Sequence, residues 1–324
     1  MRVVALMAIV ALAAGCDDED PMMGTDAGPA GDAGPPASVC PTDPEAVPAP
    51  EELMGACCYR TDQSMAQDAP EMRLTYIELD EPASSPLSSM TLRRVLNESM
   101  QDETFNWLFR VEGADADGDV NIVTGFGRRT AEGTYEFSQG AGGTEGDPDT
   151  WCPVEIPAQL AGETVNSSEL DGAITVPVFD DAGEMLQVEL RLRALSIEDS
   201  TWTENRSCVG AKTNRPFTYT PAATLAAFIE VEPARTQMIN VPPVVTTVCA
   251  AIAGALDDEA YCEDNAQGDW MVPPDSLCDA TGCMQNTDGM TDVCDPATTC
   301  NAWRIVGSFA AAGVEITNGT CTAG

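Results

Sequence analysis

Leu186-Gln187-Val188-Glu189-Leu190-Arg191-Leu192-Arg193 alternates apolar and polar side chains without a break. A period of two puts the aliphatic residues on one face of an extended chain and the polar ones on the other. That is a strand with one face buried and one in water. Ile174, Val176 and Val178 repeat the pattern upstream, separated from it by Asp180-Asp181-Ala182-Gly183, whose residue types suit a hairpin turn. Pro177 has no N–H to give to a ladder, so that arm belongs at a sheet edge. Further out, Phe105, Trp107, Phe109 and Val111 share a face opposite Asn106, Leu108, Arg110 and Glu112. Residues 73–79, 120–126, 134–138 and 303–316 are further strand candidates. Three helices are expected among them. Leu92, Val95, Leu96 and Met100 share a helical face after Ser88 and Ser89. Thr220-Pro221 has the form of an N-cap and first helical residue before Leu225, Phe228 and Ile229. Val245, Val248, Cys249, Ile252 and Leu256 form a third stripe after Pro242-Pro243. Strands dominate and no βαβ rhythm appears. The expected fold is mainly β: an antiparallel sandwich or open barrel with a few edge helices and a disulfide-rich C-terminal part.

The 324 residues carry 53 acids against 15 lysines and arginines, with no histidine and a single lysine, Lys212. A body this acidic repels phosphate backbones, so nucleic acid is excluded as a partner. The acids are spread along the chain, as on a strongly solvated surface.

Residues 1–16 read Met-Arg-Val-Val-Ala-Leu-Met-Ala-Ile-Val-Ala-Leu-Ala-Ala-Gly-Cys. Arg2 supplies a positive start and residues 3–14 an apolar run, which is shorter than the ~20 residues that span a bilayer. Small residues then lead to Cys16. The Ala14-Gly15-Cys16 step, with Leu12 upstream, resembles the lipobox of bacterial lipoproteins. The usual leucine three before the cysteine is replaced by Ala13. The resemblance implies a signal peptide over 1–15, cleavage before Cys16, and diacylglycerol attachment and N-acylation at that cysteine. It also implies a place in the cell envelope, at the outer membrane or cell surface or on its periplasmic side, with the membrane contacted through the lipid only. Residues 17–45 are Asp, Gly, Ala, Pro and little else, and cannot bury enough surface to offset their ordering entropy. They form a tether. Residues 46–324 form a single β-rich body with a cysteine-rich segment over 249–324.

With Cys16 acylated, twelve cysteines remain, an even number suited to an oxidising compartment: Cys40, Cys57, Cys58, Cys152, Cys208, Cys249, Cys262, Cys278, Cys283, Cys294, Cys300 and Cys321. The adjacent Cys57 and Cys58 must take different partners.

The absence of histidine removes the Ser-His-Asp and Cys-His triads and imidazole bases. Paired cysteines remove thiolate nucleophiles. Lys212 sits among Gly and Asn, in the setting of an exposed loop, and no phosphate-binding glycine motif or Gly-x-Ser-x-Gly appears. Asp115-Ala116-Asp117-Gly118-Asp119-Val120-Asn121 resembles the Asp-rich calcium loops of EF-hands, dockerins and thrombospondin type 3 repeats. The resemblance implies Asp115, Asp117, Asp119 and Asn121 as Ca²⁺ ligands. Val120 stands where an EF-hand needs Gly and Phe126 where it needs Glu, so an EF-hand is rejected. The run also lies between two strand candidates, where a solvated hairpin turn is the favoured alternative. The function expected is a non-enzymatic surface module for an unknown protein or glycan ligand, without a cofactor. The alternative is an exported hydrolase of glycosidase type working through two carboxylates.

Overall fold

The computed structural model describes residues 69–317 apart from 89, 131–132, 138–151, 180–185, 204–205, 207, 213–218, 242–243 and 288–289. The signal, the tether, Cys16, Cys40, Cys57, Cys58, Cys321 and the turn at 180–183 lie outside the described residues.

The main sheet contains β1 (Glu71–Glu81), β2 (Trp107–Glu112), β3 (Gly118–Arg129), β4 (Tyr135–Phe137), β5 (Val154–Ala161), β6 (Thr164–Ser167), β7 (Ala173–Phe179), β8 (Leu186–Glu198), β9 (Ser200–Thr201) and β10 (Cys208–Val209). After the ribbon β11 (Ala211–Lys212) and β12 (Tyr219–Thr220) comes β13 (Ala223–Glu230). A second ribbon, β14 (Met238–Val241) and β15 (Val244–Thr247), precedes β16 (Ser276–Asp279), β17 (Gly282–Gln285) and β18 (Ala302–Gly313). The helices are short: α1 (Met90–Gln101), α2 (Val231–Thr236), α3 (Val248–Ala253) and α4 (Tyr261–Asp264).

Across the sheet the order is β7-β8-β13-β18-β1-β2-β3-β5-β6-β9, with antiparallel neighbours throughout. The sheet is a curled half-barrel. Its curl is visible in the chain itself: β9 follows β8 after Asp199 alone, at φ 51°, and pairs with β6. Ser167 of β6 also accepts the Ile197 N–H of β8 at 2.8 Å. β7, with Pro177, ends the order as expected of an edge strand.

Inside the curl an aromatic row runs from Phe105 through Trp107 and Phe109 to Phe309, with ring centroids 6.5, 5.9 and 5.7 Å apart. Interior positions of small barrels are filled by side chains in this way. A second cluster covers the outer face around β1, β2 and β18, with Tyr76, Leu108, Tyr135, Phe137 and Cys208. Leu108, placed by alternation opposite the aromatic face, is therefore buried as well.

The helix expected after Thr220-Pro221 is instead β13, paired with β8 on one side and β18 on the other. A strand buried on both faces reads as a continuous apolar run, and Leu225, Phe228 and Ile229 fit a helical stripe by chance of spacing. The stripe from Val245 to Leu256 is also divided. Val245 lies in β15, and Thr247 caps α3 by accepting the Ala250 N–H at 3.1 Å. Gly254, at φ 129°, ends the helix before Leu256. The helix expected around Leu92–Met100 forms as α1.

β2 accompanies β1 only across residues 71–73. Beyond that point α1 takes over the open edge. Asn97 accepts the Ile77 N–H at 3.0 Å and donates to the Ile77 carbonyl at 2.8 Å, and Gln101 donates to the Thr75 carbonyl at 3.1 Å. A carboxamide presents N–H donors beside a carbonyl acceptor, as a peptide group does, so Asn97 stands in for a missing strand residue.

The C-terminal third is held differently. Bridges join Cys249 to Cys262, Cys278 to Cys283 across the β16–β17 hairpin, and Cys294 to Cys300. Between them, side chains satisfy the backbone: Asn286 accepts the N–H groups of Val293 and Cys294, both at 3.0 Å. Each bridge of this kind adds about 2–4 kcal/mol where a core is thin. Trp303, fully buried, stacks on Trp270 at 5.7 Å and joins this part to the barrel.

Candidate functional site

The aspartate run spans the turn between β2 and β3 and the first residues of β3, at one end of the barrel. Gly113 (φ 82°) and Gly118 (φ 137°) occupy left-handed positions that L side chains avoid. Between them Ala114 turns inward and is fully buried. Asp115, Asp117, Asp119 and Asn121 are exposed. Asp117 accepts the Gly162 N–H of the β5–β6 turn at 3.0 Å, and Asp119 accepts from the Gln159 side chain on β5. Asn121 stands opposite Glu112 on β2 and Pro157 on β5. Two of the carboxylates thus tie the hairpin to its neighbour. Among the described residues no three His, Cys, Asp or Glu side chains gather closely enough to hold a metal ion.

Trp202 and Arg206 complete this end of the barrel, and the sequence alone does not single them out. The Trp202 N–H donates to the Glu163 carbonyl at 2.8 Å. The Arg206 guanidinium lies 5.4 Å above the Trp202 ring and donates to the Ala114 carbonyl. Beneath them the interior leaves a cavity of about 20 Å³, lined by Pro70, Met72, Phe109, Val165, Trp202 and Phe309 among others. Ser200 is its one polar lining residue. A water needs roughly 10–15 Å³ and several polar partners, whereas a small-molecule pocket needs about 300 Å³ or more. This cavity is a packing gap.

A second polar constellation lies on the outer face of β1. Arg73, fully buried, donates to the Met100 carbonyl at 2.7 Å and to Asn106 at 3.1 Å, and sits 5.7 Å from the Tyr135 ring centre. A cation at the end of α1 complements the helix dipole and caps its last turn. Burial raises the Tyr135 phenol above its ordinary value, opposed by the nearby charge of Arg73. Its hydroxyl donates to Glu103 at 3.1 Å. Arg73 is a structural cation here, too basic to exchange protons.

Among the cysteines, six of the twelve named form the three C-terminal bridges, and Cys152 is in a disulfide as well. Cys208 is buried on β10, opposite Ala312. Lys212 lies in β11 opposite Tyr219, rather than in a loop. Most described arginines are engaged locally, with pairs Arg93–Glu78, Arg94–Glu98, Arg110–Glu71, Arg129–Glu103, Arg193–Glu230 and Arg304–Glu81.

Compared with known proteins, the chain matches no family model, no curated protein and no solved structure.

Proposed function

We propose that this chain is a lipid-anchored module of the bacterial cell envelope that acts by binding rather than by catalysis. Its signal is removed before Cys16, acyl groups on that cysteine hold it at the membrane, and residues 17–45 space the β body from the surface. The observation that carries the proposal is the cysteine chemistry. Bridges such as Cys249–Cys262 and Cys294–Cys300 persist where thiols are not kept reduced, which supports a location outside the cytoplasm. The Ala14-Gly15-Cys16 step supplies a route there and an anchor.

A carboxylate hydrolase would need two acids about 5–9.5 Å apart across a cleft. The barrel cavity has no acid in its lining and is far smaller than a sugar ring.

The test is Cys16→Ser. Metabolic labelling with a fatty acid should mark the wild-type protein in the membrane fraction and leave the variant unlabelled and soluble. Equal labelling of the two would sink the anchor.

A further inference from the structure

Among the described residues, every large apolar side chain that is exposed falls between residues 238 and 290: Met238, Val245, Met271, Met284 and Met290. The same stretch is extreme in charge, since between Arg235 and Arg304 the sequence holds eleven acids and no lysine or arginine. The two properties meet on the β14–β15 ribbon. Its register pairs Met238 with Thr247 and Asn240 with Val245, which puts these four residues on one face. The other face, with Ile239 and Thr246, is buried against the body. On the outer face Met238 is 40% exposed and Val245 48% exposed. Thr247 donates to the Glu259 carbonyl at 3.5 Å, which brings the exposed run Asp257-Asp258-Glu259 to the ribbon's border. Met271, 65% exposed, rests on Gly254, next to Ala255, whose carbonyl accepts from Thr246 at 3.4 Å.

We propose that this ribbon face docks a cationic amphipathic segment of a partner protein. Its aliphatic side chains lie on Met238 and Val245, and its lysines or arginines meet the carboxylates of Asp257, Asp258 and Glu259. Methionine is unbranched and polarizable, so it adapts to varied apolar partners, and the acidic border selects those that carry positive charge. Charge decides between occupants. A second copy docked through the same face brings no basic residue between 235 and 304 to answer the acids, and an anionic lipid surface repels them. The proposal deepens the binding-module reading and rests on it. Fatty-acid labelling tests the anchor separately, so a failure of docking leaves the labelling result standing.

The experiment uses the mature chain and a fluorescein-labelled 14-residue Leu/Lys amphipathic peptide, read by anisotropy at physiological salt. Wild type should bind it, and Met238→Ser with Val245→Ser should weaken binding about tenfold through lost apolar contact. Asp257→Asn, Asp258→Asn and Glu259→Gln together should weaken it at least about tenfold and flatten its salt dependence. Glu112→Gln, Glu155→Gln and Asp171→Asn remove the same charge from the barrel and should change affinity by less than about twofold, each variant being folded by circular dichroism. Three results would overturn the proposal: no binding by wild type, equal loss from the barrel substitutions, or wild-type self-association that Met238→Ser abolishes.

Discussion

Replacing Asn97 by Leu removes a side chain that is nearly buried and does the work of a strand. The wild-type carboxamide satisfies both the N–H and the carbonyl of Ile77, at 3.0 and 2.8 Å. It also donates to the Arg93 carbonyl at 2.8 Å. Leucine has similar volume and better helix propensity, so packing and helix formation change little. What changes is that two backbone groups of β1, at an edge β2 has already left, lose their partners. Each buried group left unsatisfied costs ~1–3 kcal/mol, so the pair should cost about 3 kcal/mol. For a body of this size, at ~2–4 °C per kcal/mol, that is a fall in melting temperature of about 6–12 °C. Asn97→Asp keeps the acceptor for the Ile77 N–H but loses the donor, and should fall between the two. Thermal unfolding followed by circular dichroism measures all three. A change within about 0.5 kcal/mol for Asn97→Leu would refute the claim that Asn97 replaces a strand partner, since ordinary surface substitutions reach that size.

Three further outcomes follow from the same geometry. Asp117 and Asp119 spend their carboxylates on Gly162 and Gln159, so millimolar Ca²⁺ should raise the melting temperature no more than NaCl of equal ionic strength; a calcium-specific rise lost on Asp115, Asp117 and Asp119→Asn would locate a cation there. The Thr281 hydroxyl and N–H hold Asp279 below the ordinary carboxyl value, and those of Thr287 do the same for Asp292. Because the folded value lies below the unfolded one, this contribution is present in full above the unfolded value of ~3.9 and is lost as pH falls through the folded one. NMR titration should show both carboxyls protonating after the bulk of the acids, and titration with the bulk would contradict the hydrogen bonds. Asp199, exposed and at φ 51°, engages its neighbours through its backbone, so Asp199→Gly should stabilise by about 0.5–1 kcal/mol in urea unfolding, whereas destabilisation would mean that its side chain matters.

The fold was legible where one sheet face meets water. Alternation from Leu186 to Arg193 located β8, its neighbour arm located β7, and Pro177 marked the edge. Legibility failed where both faces are covered. β13 carries Leu225, Ala227 and Ile229 inward and Phe228 against the β16–β17 hairpin, so no polar face remains to reveal its period. β5 shows the opposite lapse. Ile156, Ala158 and Leu160 alternate with exposed residues, but Pro157 and the small Ala158 weaken the apolar signal in the sequence. The division of the Val245–Leu256 stripe turned on one hydroxyl, that of Thr247. At the candidate site, the aspartate run was located between two strands from sequence, and its contacts to β5 were not. Asp117 meets Gly162 across 45 residues, and Arg73 meets Met100 across 27. Such contacts depend on topology, which local spacing does not encode.

On the proposed reading the body is exported, lipid-anchored at Cys16 and closed by disulfides. Non-reducing mass spectrometry of the protein purified from membranes tests it most directly. The expected spectrum shows a first residue of Cys16 bearing acyl mass, and peptides in which Cys249 is joined to Cys262, Cys278 to Cys283 and Cys294 to Cys300. An unacylated Cys16 in an uncleaved chain, with those six cysteines reduced, would contradict it.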